Sequence, residues 1–177
     1  LILINSGSTD KSHKKISKFL KENKKKIKVY NFSLNTNLPS TSKNMGVQVS
    51  NNQLIAFMDF GLNFNKKWLE NQFGLMRRNK LDAVIGSVKL RGHSLFDKAS
   101  VINTYGNKNT SPCIPGSLIK KKIFDNLGFF EKSRSLYDVL WKEKLFKSKF
   151  KSQINKEVSL TYEGINYSKN PKNLFYK

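Results

Sequence analysis

The chain has 177 residues, enough for one domain that buries a core without disulfides or a structural metal. Its single cysteine, Cys113, excludes an internal disulfide framework, and no apolar run reaches the roughly 18 residues that a membrane-spanning helix needs. We expect one cytoplasmic domain over 1–177. We also expect it to be a piece of a longer chain, because it starts inside a predicted strand and ends without a cap signal.

The formal net charge is +21, from 33 basic and 12 acidic residues. A surplus of this size is typical of proteins that bind nucleic-acid phosphates or anionic membranes. Only four of the basic residues are arginines, however, and lysines are spread over every predicted helix. We interpret the charge mainly as a solvated surface. Peripheral contact with an anionic membrane stays open, and nucleic acid is the least favoured partner.

The first third of the chain predicts two strands and a helix. Residues 1–4 form a short apolar run that is typical of a strand buried on both faces. Ile16, Phe19 and Leu20 then keep helical spacing. A second strand is expected over 26–32 because apolar and polar residues alternate there, whereas the Asn, Pro and Ser residues of 35–42 predict a loop.

The middle of the chain continues the alternation of strands and helices. An apolar run over 54–60 predicts a strand, and the spacing of Trp68, Leu69, Phe73 and Met76 predicts a helix. Another strand is expected over 82–88. Residues 91–113 show weak periodicity and several Gly, Asn and Ser residues, which predicts a loop.

The last third predicts a short strand and a helix over 115–130, with Gly128 closing the helix. A further helix over 135–146 and an extended segment over 157–167 follow. Strands that alternate with helices indicate an α/β fold, with a mainly parallel sheet flanked by helices on both faces. Such sheets bind ligands at the carboxyl ends of their strands.

Two polar features lie at predicted strand ends. The turn over 5–10, Asn-Ser-Gly-Ser-Thr-Asp, offers backbone amides and hydroxyls to an anion or a sugar, or merely caps the next helix. Asp59 ends the most apolar strand, where its carboxylate either meets a cation or caps a turn. The residues by themselves leave both alternatives open.

Four segments, taken in order, resemble the nucleotide-sugar-binding domain of family 2 glycosyltransferases, which has the GT-A fold. INSGSTDKS resembles Asp-(Asp/Asn/Ser)-Gly-Ser-Thr-Asp, and SKNMG before LIAFMDF resembles (Ala/Ser)-Arg-Asn-x-Gly before Leu-Asp-x-Asp. The segment from PGSLIKK to GFFE resembles a strand-to-helix element that ends Gly-Gly-Phe-Asp-Glu, and LYD resembles the Glu-Asp pair before a helix. Four ordered matches are more specific than any one alone.

The resemblance implies roles for the matching residues. The donor-binding positions are Asn5, Ser6, Gly7, Ser8, Asp10, Lys43, Asn44 and Asp59. Asn5 and Ser6 stand where the family contacts the nucleotide base. Asp59 matches the first acid of Asp-x-Asp, which reaches the ribose and a divalent Mn or Mg ion. Asp138 matches the acid that deprotonates the acceptor hydroxyl.

Three acidic positions depart from the family pattern, GFFE keeps only part of Gly-Gly-Phe-Asp-Glu, and the resemblance implies that the family's first strand is missing. Asn5 replaces an acid, Gly61 replaces the second acid of Asp-x-Asp, and Tyr137 replaces the Glu of Glu-Asp. Gly61 leaves one carboxylate for a metal where two are usual, so metal affinity should fall. Nearby lysines or substrate oxygens are candidates to compensate for the missing acid.

The resemblance implies an inverting transferase that moves a sugar from a nucleotide-diphosphate donor to a saccharide or lipid-linked acceptor. Cell-surface polysaccharide synthesis at the inner face of the membrane is the expected setting. Because Asn5 and Gly61 replace family acids, a degenerate noncatalytic module of the same fold is the alternative. A basic nucleic-acid-binding protein is a third and less favoured possibility.

Overall fold

The computed structural model describes residues 1–23, 25–36, 38–105 and 110–165. Its elements, in chain order, are β1 (Ile2–Asn5), α1 (Ser12–Asn23), β2 (Tyr30–Ser33), α2 (Pro39–Val49), β3 (Leu54–Ala56), β4 (Asn63–Phe64), α3 (Trp68–Arg78), β5 (Ala83–Gly92), α4 (Leu95–Tyr105), β6 (Thr110–Lys120), α5 (Lys122–Leu127), α6 (Tyr137–Phe146), β7 (Ser152–Ile154) and β8 (Leu160–Ile165). The end of the segment predicted over 157–167 and the tail to 177 lie outside the described residues. None of the helices in the described ranges is long and apolar enough to cross a membrane.

The strands form a parallel pair, β1 with β2, and a larger sheet in the order β3-β6-β5-β8-β4, with β7 beside β5. In the larger sheet β5 runs parallel to β7 and β8, whereas β6 is antiparallel to both β5 and β3, and β4 is antiparallel to β8. The prediction of a mainly parallel sheet is therefore wrong, and the sheet is mixed. The antiparallel order of β5 and β6 comes from tertiary pairing, in which Thr110 lies opposite Lys89.

Helices cover both faces of the larger sheet. Successive residues of a strand point to opposite faces. Ala83 and Ile85 of β5 belong to a core cluster that contains Trp141 of α6, whereas Val84 belongs to a second cluster with Met76 of α3. The predicted α/β class with helices on both faces is confirmed.

Two segments that we predicted as loops contain helices. The segment over 35–42 includes the start of α2, where Pro39 occupies the first turn and its missing N–H breaks no helical bond. The segment over 91–113 contains α4 and the start of β6, with 106–109 outside the described residues. Helix α4 begins with a capping box, in which the Ser94 amide donates to Asp97 Oδ2 at 3.1 Å and the Asp97 amide donates to Ser94 Oγ at 3.0 Å.

Candidate active site

The polar turn over 5–10 is shaped by its own side chains. The amide of Ser8 donates to Asn5 Oδ1 at 3.1 Å, and Gly7 has a φ of +73°, a left-handed conformation that favours glycine. The amide of Ser12 donates to Asp10 Oδ1 at 2.9 Å, and hydrogen bonds from Ser12 hold the pKa of Asp10 below its ordinary value. Asn5 and Asp10 therefore form the turn and the entry to α1. The Ser6 hydroxyl is hydrogen-bonded to that of Ser42 on α2, which joins the turn to the next part of the site.

Lys43 and Asp59 form a close ion pair. Lys43 Nζ lies 2.7 Å from Asp59 Oδ1 and 3.0 Å from Oδ2, so the ammonium sits between the two carboxylate oxygens. The lysine side chain is 9% exposed and that of Asp59 is 40% exposed. Burial alone would lower the pKa of Lys43, but the Asp59 carboxylate and Tyr137 outweigh it and raise this pKa above its ordinary value. Lys43 is thus a fixed positive charge at neutral pH.

The Tyr137 ring contacts Lys43 of the Lys43–Asp59 pair. Its ring centre lies 5.7 Å from Lys43 Nζ, within the range of a cation–π contact. Burial and the Asp59 carboxylate raise the pKa of Tyr137, against the opposing effect of Lys43, so the phenol stays neutral. At the position where the family pattern has a Glu, this protein therefore has an uncharged ring that contacts the lysine.

The Asn44 side chain is hydrogen-bonded to the backbone of Phe130. Its Nδ2 donates to the Phe130 carbonyl at 2.8 Å, and its Oδ1 accepts from the Phe130 amide at 3.0 Å. One turn earlier, Ser40 Oγ donates to the Ser133 carbonyl at 2.9 Å and accepts from its amide at 3.1 Å. These four hydrogen bonds hold α2 against the segment before α6, and so they fix the backbone position of Lys43.

Asp138 lies in the first turn of α6, and its side chain is 27% exposed. Lys142, one turn later, places Nζ 3.3 Å from Asp138 Oδ2 and donates to the Pro112 carbonyl at 2.5 Å. Our sequence analysis missed Lys142. Its spacing of four residues from Asp138 was the signal that would have found it.

Cys113 lies in the same environment. Lys142, which contacts Asp138, donates to the carbonyl of Pro112, the residue before Cys113. Burial is the main cause that raises the pKa of Cys113 to about 12. The thiol therefore stays protonated and is a poor nucleophile.

The residues present do not fit a divalent cation held by the protein. The described part of the chain contains no group of three or more His, Cys, Asp or Glu side chains placed to hold a metal ion. Asp59 contributes one carboxylate, and the Lys43 ammonium already takes the position between its oxygens where a cation would be chelated. The second acid of the family pattern is absent because Gly61 stands there.

Comparisons with known proteins agree with this arrangement of elements. The model of a family described as "Glycosyl transferase family 2" matches residues 1–146. The chain belongs to glycosyl transferase family 2. Membership confirms the resemblance found in the sequence. No curated protein sequence matches the chain.

Solved structures of S. aureus TarS have the same fold as this family 2 domain. TarS 1–349 superposes with a TM-score of 0.66 at 15% identity over 92% of this chain and 50% of that one. Its complex with UDP-GlcNAc gives a TM-score of 0.63 at 15% identity over 90% and 48%. A structure titled simply TarS gives 0.67 at 14% identity over 92% and 30%. The chain thus spans at most half the length of these proteins, and the likeness confirms the GT-A fold.

Proposed function

We propose that this domain transfers a sugar from a nucleotide-diphosphate donor to a hydroxyl of a saccharide or lipid-linked acceptor, with inversion at the anomeric carbon. The observation that carries the proposal is that Tyr137, which precedes Asp138 at the start of α6, lies against Lys43 of the Lys43–Asp59 pair in a family 2 chain. Structures of TarS with UDP-GlcNAc and with UDP support a uridine nucleotide as the first donor to test.

Asp138 is the general base of the proposed reaction. Its carboxylate accepts the acceptor hydroxyl proton while that oxygen attacks the anomeric carbon. The bond from this carbon to the diphosphate oxygen breaks, and its electron pair leaves with the nucleoside diphosphate. Lys142 contacts Oδ2 of Asp138, so we assign Oδ1 to the acceptor hydroxyl. A base held in this way keeps the attack in line.

The donor-binding assignments in the turn over 5–10 divide into two groups. Asn5 and Asp10 already hold the turn through their own hydrogen bonds, so their role in the proposal is to shape the loop. Ser6, Ser8 and the amide of Gly7 then supply contacts to the nucleotide. The divalent-ion cofactor implied by the family is not part of this proposal, because Lys43 occupies the chelating position on Asp59.

The setting that we propose is cell-surface polysaccharide synthesis at the cytoplasmic face of a membrane. Its support is the net charge of +21, which favours peripheral contact with anionic lipids. A vesicle-binding assay tests this part. Binding to anionic vesicles that falls with added salt is expected, and equal binding to neutral vesicles would contradict it.

Thermal unfolding with UDP, UDP-GlcNAc and GDP, followed by a turnover assay, tests the reaction. A nucleotide at about 100 times its dissociation constant should stabilise the fold by about 2.7 kcal/mol. Asp138→Asn should keep this shift and lose about 100-fold or more in turnover. Turnover retained in Asp138→Asn would remove Asp138 as the base. A domain that binds a donor but never turns it over would support the noncatalytic alternative.

A further inference from the structure

We propose that the Lys43 ammonium takes the place of a divalent cation at the donor diphosphate, so that this domain binds its donor without a metal ion. The inference rests on the proposed function, because it concerns the same donor. It goes further in assigning the charge that offsets the leaving diphosphate to a residue of the chain.

The first support is the geometry at Asp59. With Nζ at 2.7 and 3.0 Å from the two oxygens, Lys43 already fills the position that a chelated cation would need. A metal ion would have to displace this ammonium and leave it without its carboxylate in a site where the lysine is only 9% exposed. Leaving a buried ammonium without its partner is costly, so the arrangement disfavours a metal at this carboxylate.

The second support is that the ammonium is held in advance of any ligand. The two hydrogen bonds between Asn44 and Phe130, called the clamp below, fix the helix that carries Lys43. The Tyr137 ring lies 5.7 Å from Lys43 Nζ. Asp59 is 40% exposed, so this pair reaches solvent where a ligand can approach. Lys43 contacts both oxygens of Asp59, so keeping Oδ1 alone would release one of its three N–H donors to a diphosphate oxygen.

The third support is the charge of the site. Its two ammonium groups, on Lys43 and Lys142, face two carboxylates, on Asp59 and Asp138, so the charges cancel. The family pattern has acids at the positions of Gly61 and Tyr137. Acids at both would add two negative charges, which equal the charge of one divalent cation. Without those acids the site needs no divalent cation to balance its own charge, and a donor diphosphate meets less negative charge beside Lys43.

The test measures UDP binding to the full chain by calorimetry, once with EDTA and once with Mn²⁺. We expect dissociation constants that agree within about twofold in the two conditions. Binding that is about tenfold tighter with Mn²⁺ would overturn the inference and leave the proposed function standing. No binding of UDP, UDP-GlcNAc or GDP in either condition would instead overturn the proposed function and, with it, this inference.

Variants of Lys43 test the residue itself. Lys43→Met should weaken UDP binding in EDTA by about tenfold or more, since a charge-assisted hydrogen bond is lost, whereas Lys43→Arg should keep most of the affinity. Wild-type affinity in a folded Lys43→Met protein would overturn the inference.

Variants of Gly61 provide a test that leaves Lys43 in place. A Cβ at Gly61 would meet nothing within 4 Å, although its φ of +81° strains any larger residue. Gly61→Asp and Gly61→Asn share this strain and differ in one negative charge, so they form a matched pair. Mn²⁺ should raise the melting temperature of Gly61→Asp alone. An equal Mn²⁺ response in the wild type or in Gly61→Asn would overturn the inference.

Discussion

Replacing Asn44 by alanine tests whether its side chain stabilises the fold or contacts the nucleotide-sugar donor. The side chain makes two hydrogen bonds to the backbone of Phe130, at 2.8 and 3.0 Å, and Phe130 itself is only 2% exposed. Alanine would leave both a donor and an acceptor without their partner. Each unsatisfied buried group costs about 1–3 kcal/mol, so we expect the free energy of unfolding to fall by about 2–4 kcal/mol.

Urea unfolding measures this loss, with Asn126→Ala as the matched control. Asn126 is exposed and donates to the Lys122 carbonyl within α5, at 2.8 Å, so its loss should cost well under about 1 kcal/mol. The reasoning is refuted if Asn44→Ala unfolds like the wild type yet binds UDP about tenfold more weakly. That pattern would indicate that Asn44 contacts the nucleotide-sugar donor directly, as the family resemblance implies.

Three further outcomes follow from the structure. Gly86→Ala should destabilise the protein by about 3 kcal/mol or more, because its Cβ would lie 2.6 Å from the Gly116 carbonyl carbon. Gly74→Ala in helix α3, the control, should be neutral or stabilising. Equal urea midpoints for the two variants would contradict this prediction. Burial of Asp82 raises its pKa, but bonds from two lysines outweigh this and lower the pKa in the folded state. Its stabilisation is therefore present above about pH 4 and fades as pH falls through the lowered pKa, so Asp82→Asn should be less stable than the wild type at pH 6 and nearly equal to it in strong acid. Cys113, with its thiol pKa near 12, should react slowly with iodoacetamide at pH 8 until urea unfolds the chain, and rapid labelling of the native protein would contradict its burial.

Elements with a clear hydrophobic period were predictable from the sequence. The spacing of Ile16, Phe19 and Leu20 identified α1, and that of Trp68 and Met76 identified α3. Helix α4 has a weaker apolar pattern, and its best local signal is the capping box that begins at Ser94, which we did not use. The direction of β6 depends on pairing with β5 through tertiary contacts, which no local pattern reports.

The members of the candidate site remain predictions from the sequence, whereas their interactions were not predicted. The ordered segments identified Lys43, Asp59 and Asp138, but nothing in a linear sequence shows that Lys43 pairs with Asp59, sixteen residues away. The same holds for the clamp from Asn44 to Phe130, which spans 86 residues. Lys142 lies four residues after Asp138 on α6, a spacing that predicts their contact from the sequence alone.

The most direct test of the account measures UDP release from UDP-GlcNAc by the full chain in EDTA, with and without a saccharide acceptor. We predict release that increases with the acceptor, persists without a divalent ion, and falls about 100-fold in Asp138→Asn. Release that is absent under all conditions, or equal in the wild type and Asp138→Asn, would contradict the account.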